Sequence, residues 1–133
     1  MSSNNLTRHF RDVKGRLEDA DARTLTATTG GASIRPDSTF VTITSDTATK
    51  IVNLPAAVNG KVLRLFVVAT GCELRSDVAA DKLNNVVVGA TQEGALIAAT
   101  LYTLVYNSTT GNWTMSGVLA AGTVAPLVVP DAV

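Results

Sequence analysis

Residues 51–69, IVNLPAAVNGKVLRLFVVA, decide the fold class predicted for this chain. Pro55 ends a short aliphatic run because proline has no N–H for a sheet ladder, and Asn59-Gly60 is a strong turn signal. The strand predicted after this turn is apolar on both sides, with Leu63, Leu65 and Val67 on one face and Val62, Phe66 and Val68 on the other beside Arg64. Such a strand belongs inside a sandwich or barrel, or between subunits.

Composition extends this prediction to the whole chain. The 133 residues fit one domain, and the single cysteine cannot form an intrachain disulfide. Short alternating runs separated by Gly, Pro and Asn predict a mainly β fold, a compact β-sandwich or β-barrel-like domain over residues 23–121. Residues 101–106 and 112–118 are predicted to pair as a hairpin, with Trp113 and Met115 on one face. No internal repeat is visible in the sequence.

The N-terminal segment, residues 1–22, has a different character. Nine of the 22 charged side chains lie within residues 1–23. Leu6, Phe10, Val13 and Leu17 recur at the spacing of one helical stripe, which predicts an amphipathic helix over about residues 5–20. A helix this short is marginal alone in water, so we expect the stripe to dock, either on a partner or on the chain's own β domain.

The C-terminal segment, residues 122–133, is predicted to be an extended arm. Pro126 and Pro130 exclude a central strand and flank the apolar residues Leu127, Val128 and Val129. These three side chains are expected to contact a partner. Arg64 is a further interface candidate, because an arginine on a mostly apolar strand face is either paired across a subunit boundary or reaches the surface along its stem.

The sequence offers little chemistry to an enzyme. The single histidine, His9, lies in the charged segment, far in sequence from any candidate nucleophile, so we predict no catalytic residues. Cys72 is read as a small buried hydrophobe, and a cation at Asp77 and Asp81 is disfavoured because the loop has few oxygen ligands. We expect no cofactor and no metal. Zero net charge makes nucleic acid and membrane surfaces poor partners, and no apolar run is long enough to span a bilayer.

Several stretches resemble the capsid decoration, or cement, proteins of tailed bacteriophages. The resemblance covers about residues 23–133, and its most specific parts are LPAA followed by GKV at residues 54–62, the hairpin around Trp113 and the ending VPDA at residues 129–132. It does not include the charged segment at residues 5–20. The resemblance implies a structural virion protein, made in the host cytoplasm and located on the capsid exterior. Its implied partners are the major capsid protein and two further copies of itself in a homotrimer.

A second hypothesis is a receptor-binding or fibre-knob module that recognises host carbohydrate. Sugar sites usually present exposed aromatic rings, and the candidates here are Trp113, Tyr102 and Tyr106. We expect these three to be core or interface residues instead. A small hydrolase is a third possibility that lacks a visible nucleophile and base.

Overall fold

The computed structural model describes residues 22–125 and 130–133. This part of the chain is mainly β and confirms the predicted class. Its strands are β1 (Ala22–Thr26), β2 (Ala32–Ser33), β3 (Phe40–Thr44), β4 (Ile51–Leu54), β5 (Val62–Val67), β6 (Cys72–Ser76), β7 (Lys82–Leu83), β8 (Val86–Val87), β9 (Gln92–Leu96), β10 (Thr100–Asn107), β11 (Asn112–Leu119) and β12 (Asp131–Ala132). No helix in these residues is long and apolar enough to cross a membrane.

The strands form two mixed sheets that share one core. The seven-stranded sheet has the order β1-β3-β5-β10-β11-β7-β8, and the five-stranded sheet has the order β12-β9-β6-β4-β2. Buried side chains of both sheets belong to a single hydrophobic cluster that includes Val41, Leu65 and Leu104 from the first sheet and Val52 and Leu74 from the second.

The first half of the chain winds between the two sheets as three successive coils. Strands β1, β3 and β5 are parallel neighbours in the larger sheet, and β2, β4 and β6 are parallel neighbours in the smaller one. The chain therefore changes sheet at every strand. Val41 pairs with Leu65 across one whole coil, and Val52 pairs with Leu74 in the same way. The coils form a structural repeat, although no repeat is visible in the sequence.

Antiparallel strands close the far end of these coils. Strand β10 pairs with both β5 and β11, and β9 pairs with β6. The β10–β11 hairpin confirms the predicted pairing, with Tyr106 opposite Trp113 and both Trp113 and Met115 facing the core. Gly117 lies opposite Tyr102, where a Cβ would stand 2.7 Å from the tyrosine ring, so the residue at this position must be glycine for the ring to lie flat over the strand.

Strands β7 and β8 form a small hairpin. Asn84 and Asn85 form the two-residue turn between these strands. Both have positive φ, at 46° and 71°, a region that asparagine tolerates better than most residues. The Asn84 side chain also accepts from the Met115 N–H at 2.9 Å and donates to the Met115 carbonyl at 3.3 Å, which holds the hairpin against β11.

The described residues of the C-terminal segment, predicted as an extended arm, contact the β domain. Val124 bridges to Val118, and the Ala125 N–H donates to the Gly117 carbonyl. After Pro130, strand β12 pairs with β9 at the edge of the five-stranded sheet. Pro130 is compatible with this position because proline is tolerated beside an edge strand. The predicted helix at residues 5–20 lies outside the described residues.

Candidate docking surface

The outer face of the seven-stranded sheet presents five apolar side chains to solvent. We call this set the outer apolar band, and its members are Val62, Phe66, Leu101, Val105 and Val118. Cross-strand register places its members side by side: Val62 is opposite Val105, Phe66 is opposite Leu101, and Leu101 is opposite Val118. Directly opposed side chains on one sheet face are in contact range, so these residues form two apolar rows, Val62 with Val105 and Phe66 with Leu101 and Val118. The row of Arg64, Thr103 and Ser116 lies between them.

This surface is exposed and almost uncharged. The valines at 105 and 118 keep 43% and 47% of their area accessible, while Leu63 and Leu65 on the inner face of the same sheet are fully buried. On the outer face of β3, β5, β10 and β11, the residues beside the band are Phe40, Thr and Ser side chains and asparagine, and Arg64 is the single charged one. An ordinary solvated surface holds charges at about a quarter to a third of its positions.

Arg64 lies in the middle of this face. Its register partners are Phe40 on β3 and Thr103 on β10, and Val62 and Phe66 flank it along β5. Its side chain is exposed and makes no ion pair within residues 22–125 and 130–133.

The outer face of the five-stranded sheet is chemically different. Glu73, Arg75, Glu93 and Asp131 occupy adjacent positions there. Arg75 Nε donates to Glu93 Oε2 at 2.7 Å, with only 23% and 12% of the two side chains exposed. Partial burial, followed by the nearby charges of Glu93 and Asp131, raises the pKa of Glu73 despite the opposing effect of Arg75. Arg75 therefore pairs with one of the three carboxylates on this face.

Most of the predicted contact residues lie outside the described part. The stripe Leu6, Phe10, Val13 and Leu17 and the C-terminal residues Leu127, Val128 and Val129 are in the segments that the structure does not describe. Arg64 is described and lies on the outer face. The sequence prediction omitted Leu101, Val105 and Val118 from the site, although the two-sided apolar pattern of residues 101–106 already signalled a second covered face.

The aromatic residues considered for carbohydrate binding are in the core, as expected. Trp113 and Tyr102 are fully buried, and Tyr106 packs on Trp113 with ring centroids 5.0 Å apart. The Tyr106 hydroxyl donates to Asp81 Oδ1 at 2.9 Å. Burial and this hydrogen bond raise the pKa of Tyr106. No exposed platform is built from these three rings.

The thiol of Cys72 and the carboxyl group of Asp81 are both buried in the fold. Cys72 is 2% exposed, and burial raises the pKa of its thiol to about 12, so it stays protonated and unreactive at neutral pH. Asp81 is buried beside Tyr106, while Asp77 is exposed. Within residues 22–125 and 130–133, no three His, Cys, Asp or Glu side chains come together as a metal site would require.

Comparisons with protein-family models, with curated proteins and with solved structures found no match for this chain.

Proposed function

We propose that the chain is a structural virion protein of the decoration, or cement, class. It assembles as a homotrimer on the exterior of a phage head and clamps neighbouring major capsid subunits against the pressure of the packaged DNA. It is not an enzyme and needs no cofactor. The resemblance of residues 23–133 to such proteins suggested this class, and the outer apolar band supports it independently.

The observation that carries the proposal is the exposed, nearly uncharged outer face. Two rows of exposed apolar side chains, divided only by Arg64, Thr103 and Ser116, leave more apolar area in water than single scattered residues do, which favours a site of protein contact. Burying apolar area contributes about 25 cal/mol per Å², so covering even part of the outer apolar band favours association. The strands beneath it are held by β-ladders on both sides, which makes the surface rigid before any partner arrives.

The charge of Arg64 in the middle of the outer apolar band favours a ring over a two-fold pair. In a two-fold contact the same patch meets itself, and the Arg64 guanidinium of one copy would approach the Arg64 region of the other. In a three-fold ring each outer face meets a different surface of the next copy. Arg64 then contacts groups other than its own counterpart, without repulsion between like charges.

Repetition converts modest contacts into a stable shell. A ligand that binds only the assembled shell stabilises it by mass action, and each trimer engages several shell subunits at once. Many copies, each with a small interface, therefore resist expansion without requiring a single very strong contact.

The proposal is tested by adding the purified full-length chain to empty capsids of the phage that encodes it, prepared without this protein. We expect saturable binding and a higher temperature of capsid disruption, measured by sedimentation and by calorimetry. The test variant is Val105→Glu in the outer apolar band, and the matched control is Ala95→Glu, an exposed position on the opposite face.

Val105→Glu should lose binding and protection, and Ala95→Glu should retain both. Absence of saturable binding by the unmodified chain would contradict the proposed function. Equal binding by both variants would show that the outer apolar band is needed neither for assembly of the trimer nor for contact with the capsid.

A further inference from the structure

Asn59 and Gly60 form the only Asn-Gly pair in the sequence, and both residues are exposed in the turn between β4 and β5. The Lys61 N–H donates to the Val58 carbonyl at 3.1 Å across this turn, and Gly60 has a φ of 82°. These features fit a type II β-turn, in which glycine takes the position that needs a positive φ. The main chain of the turn is therefore complete without any contribution from the Asn59 side chain.

The Asn59 side chain instead contacts a second turn. Its Oδ1 accepts from the Ser108 N–H at 3.0 Å, in the loop that joins β10 to β11. The next main-chain amide is held by the same hairpin, because the Gly60 N–H donates to the Tyr106 carbonyl at 2.8 Å. A backbone N–H can only donate, so Ser108 fixes which end of the Asn59 amide faces it. The hairpin thus holds both the side chain and the following amide of the Asn-Gly pair.

These two groups are the ones that react when an asparagine deamidates. The Gly60 nitrogen attacks Asn59 Cγ, the bond from Cγ to the side-chain nitrogen breaks, and ammonia leaves with the proton from the Gly60 N–H. Water then opens the resulting cyclic imide at one of its two carbonyls, which gives aspartate or isoaspartate. The reaction transfers no electrons, and water is the only other reactant. Glycine favours the attack because it places no side chain beside the nitrogen.

We propose that Asn59 is a site of spontaneous deamidation and that the Ser108 N–H retards the reaction in the folded chain. While both hydrogen bonds are formed, the Gly60 N–H proton lies on the Tyr106 carbonyl and the Asn59 amide is held by Ser108. The reaction then requires separation of the two turns, and surface loops open locally at a lower cost than the whole fold. This proposal goes beyond the proposed function and does not depend on it.

The two products have different consequences for the fold. Aspartate keeps an oxygen that accepts from the Ser108 N–H, now with a negative charge. Isoaspartate routes the main chain through the side-chain carbons, so the turn becomes longer and its hydrogen bonds to the Val58 and Tyr106 carbonyls should be lost. Strand β5 begins at Val62, directly after this turn. We therefore expect isoaspartate to displace one end of the outer apolar band.

The first test compares the full-length chain with the peptide PAAVNGKVL, residues 55–63, which lacks the hairpin. Both are incubated at mildly alkaline pH, and deamidation is followed by mass spectrometry and by enzymatic methylation of isoaspartate. The full-length chain should react at least about tenfold more slowly, which corresponds to an opening free energy of about 1.4 kcal/mol. Equal rates in the folded chain and the peptide would overturn the proposal.

The second test assigns the effect to Ser108. Ser108→Pro removes the N–H that Asn59 accepts from, and the matched control Ser108→Ala keeps it. With folding verified by circular dichroism, the proline variant should deamidate about three- to tenfold faster than the alanine variant, the factor expected for one hydrogen bond. Equal rates in the two folded variants would overturn the role of Ser108.

Hydrogen exchange in the unmodified chain tests the same contact without a substitution. The amides of Gly60 and Ser108 should exchange at least about tenfold more slowly than in the unfolded chain, because both are donors between the two turns. Exchange of these amides at the unfolded rate would contradict the proposal, even if the proline variant does not fold.

Discussion

The two outer faces of this molecule, built on strands of one chain around one core, differ in how they use charge. The five-stranded sheet places Glu73, Arg75, Glu93 and Asp131 together and pairs Arg75 with Glu93 at 2.7 Å. The seven-stranded sheet exposes the outer apolar band around the single charge of Arg64. A charged face is solvated in the isolated chain, and burying its charges against a partner costs free energy. A face that leaves apolar area in water gains free energy when another protein covers it.

The largest effect is expected from placing charge in the outer apolar band. Phe66→Glu combined with Leu101→Glu puts two carboxylates on directly opposed positions of β5 and β10. Burying unpaired charge in an interface is costly, so self-association should weaken at least about 100-fold, or about 2.7 kcal/mol. Sedimentation equilibrium measures this.

The matched control for that variant is Ala95→Glu on the opposite face, which should associate as the unmodified chain does. Circular dichroism and thermal melting would verify that both variants fold. Unchanged association of the double variant, with folding intact, would remove the distinction between the two faces.

The second-largest effect is expected on the free energy of unfolding, when a charged residue on the outer face of the five-stranded sheet is replaced. Arg75→Met removes the partner of Glu93, whose side chain is only 12% exposed. A hydrogen bond to a charged group contributes about 1.5–3 kcal/mol, so the free energy of unfolding in urea should fall by about that amount, while the oligomeric state should not change. A change in association with no loss of stability would show that this face also meets a partner.

A smaller effect is expected at Arg64. Arg64→Ala removes an exposed side chain that makes no ion pair within residues 22–125 and 130–133, so the free energy of unfolding should change by less than about 0.5 kcal/mol. Arginine at the centre of an interface commonly contributes to affinity, and the association constant should fall about tenfold. Loss of stability with unaltered association would place Arg64 in the fold instead of the interface.

The smallest effect is the pH dependence contributed by Glu73. Burial and the carboxylates of Glu93 and Asp131 raise its pKa in the folded chain above 4.5. The folded state therefore binds the proton more tightly than the unfolded state, so this group makes stability fall as the pH rises from about 4.5 through the raised pKa. Glu73→Gln should remove that slope and slightly raise the melting temperature at pH 7. Glu73 is partly exposed and screened, so the shift should be small. An identical pH profile in the variant would contradict the assignment.

The pairing of strands that are adjacent in sequence could be predicted from the sequence, but the winding of the chain between the two sheets could not. The β10–β11 hairpin joins two strands that are neighbours in sequence, alternates apolar and polar residues, and has a glycine-containing loop at residues 108–111. All three features can be read from the sequence. The parallel pairing of β1, β3 and β5 joins residues that lie a whole coil apart, through strands as short as five residues. Short apolar runs do not encode which sheet they join, because that choice depends on contacts distant in sequence.

Part of the docking surface could also be predicted from the sequence. The apolar character of both sides of residues 62–68 predicted a second covered face, and Arg64 was named as an interface candidate on it. Leu101, Val105 and Val118 joined it only through the register of β5, β10 and β11, which the sequence does not fix. For the C-terminal segment, prolines exclude a central strand but leave an edge position open, and the sequence did not show that β12 takes that position beside β9.

The central claim is that the outer apolar band is covered by other copies of this chain in solution. Sedimentation equilibrium of the full-length protein across the micromolar range tests it most directly. The account predicts a mass three times that of the 13.8 kDa chain, reduced to the single-chain mass by Phe66→Glu combined with Leu101→Glu. A single-chain mass for the unmodified protein throughout that range would contradict it.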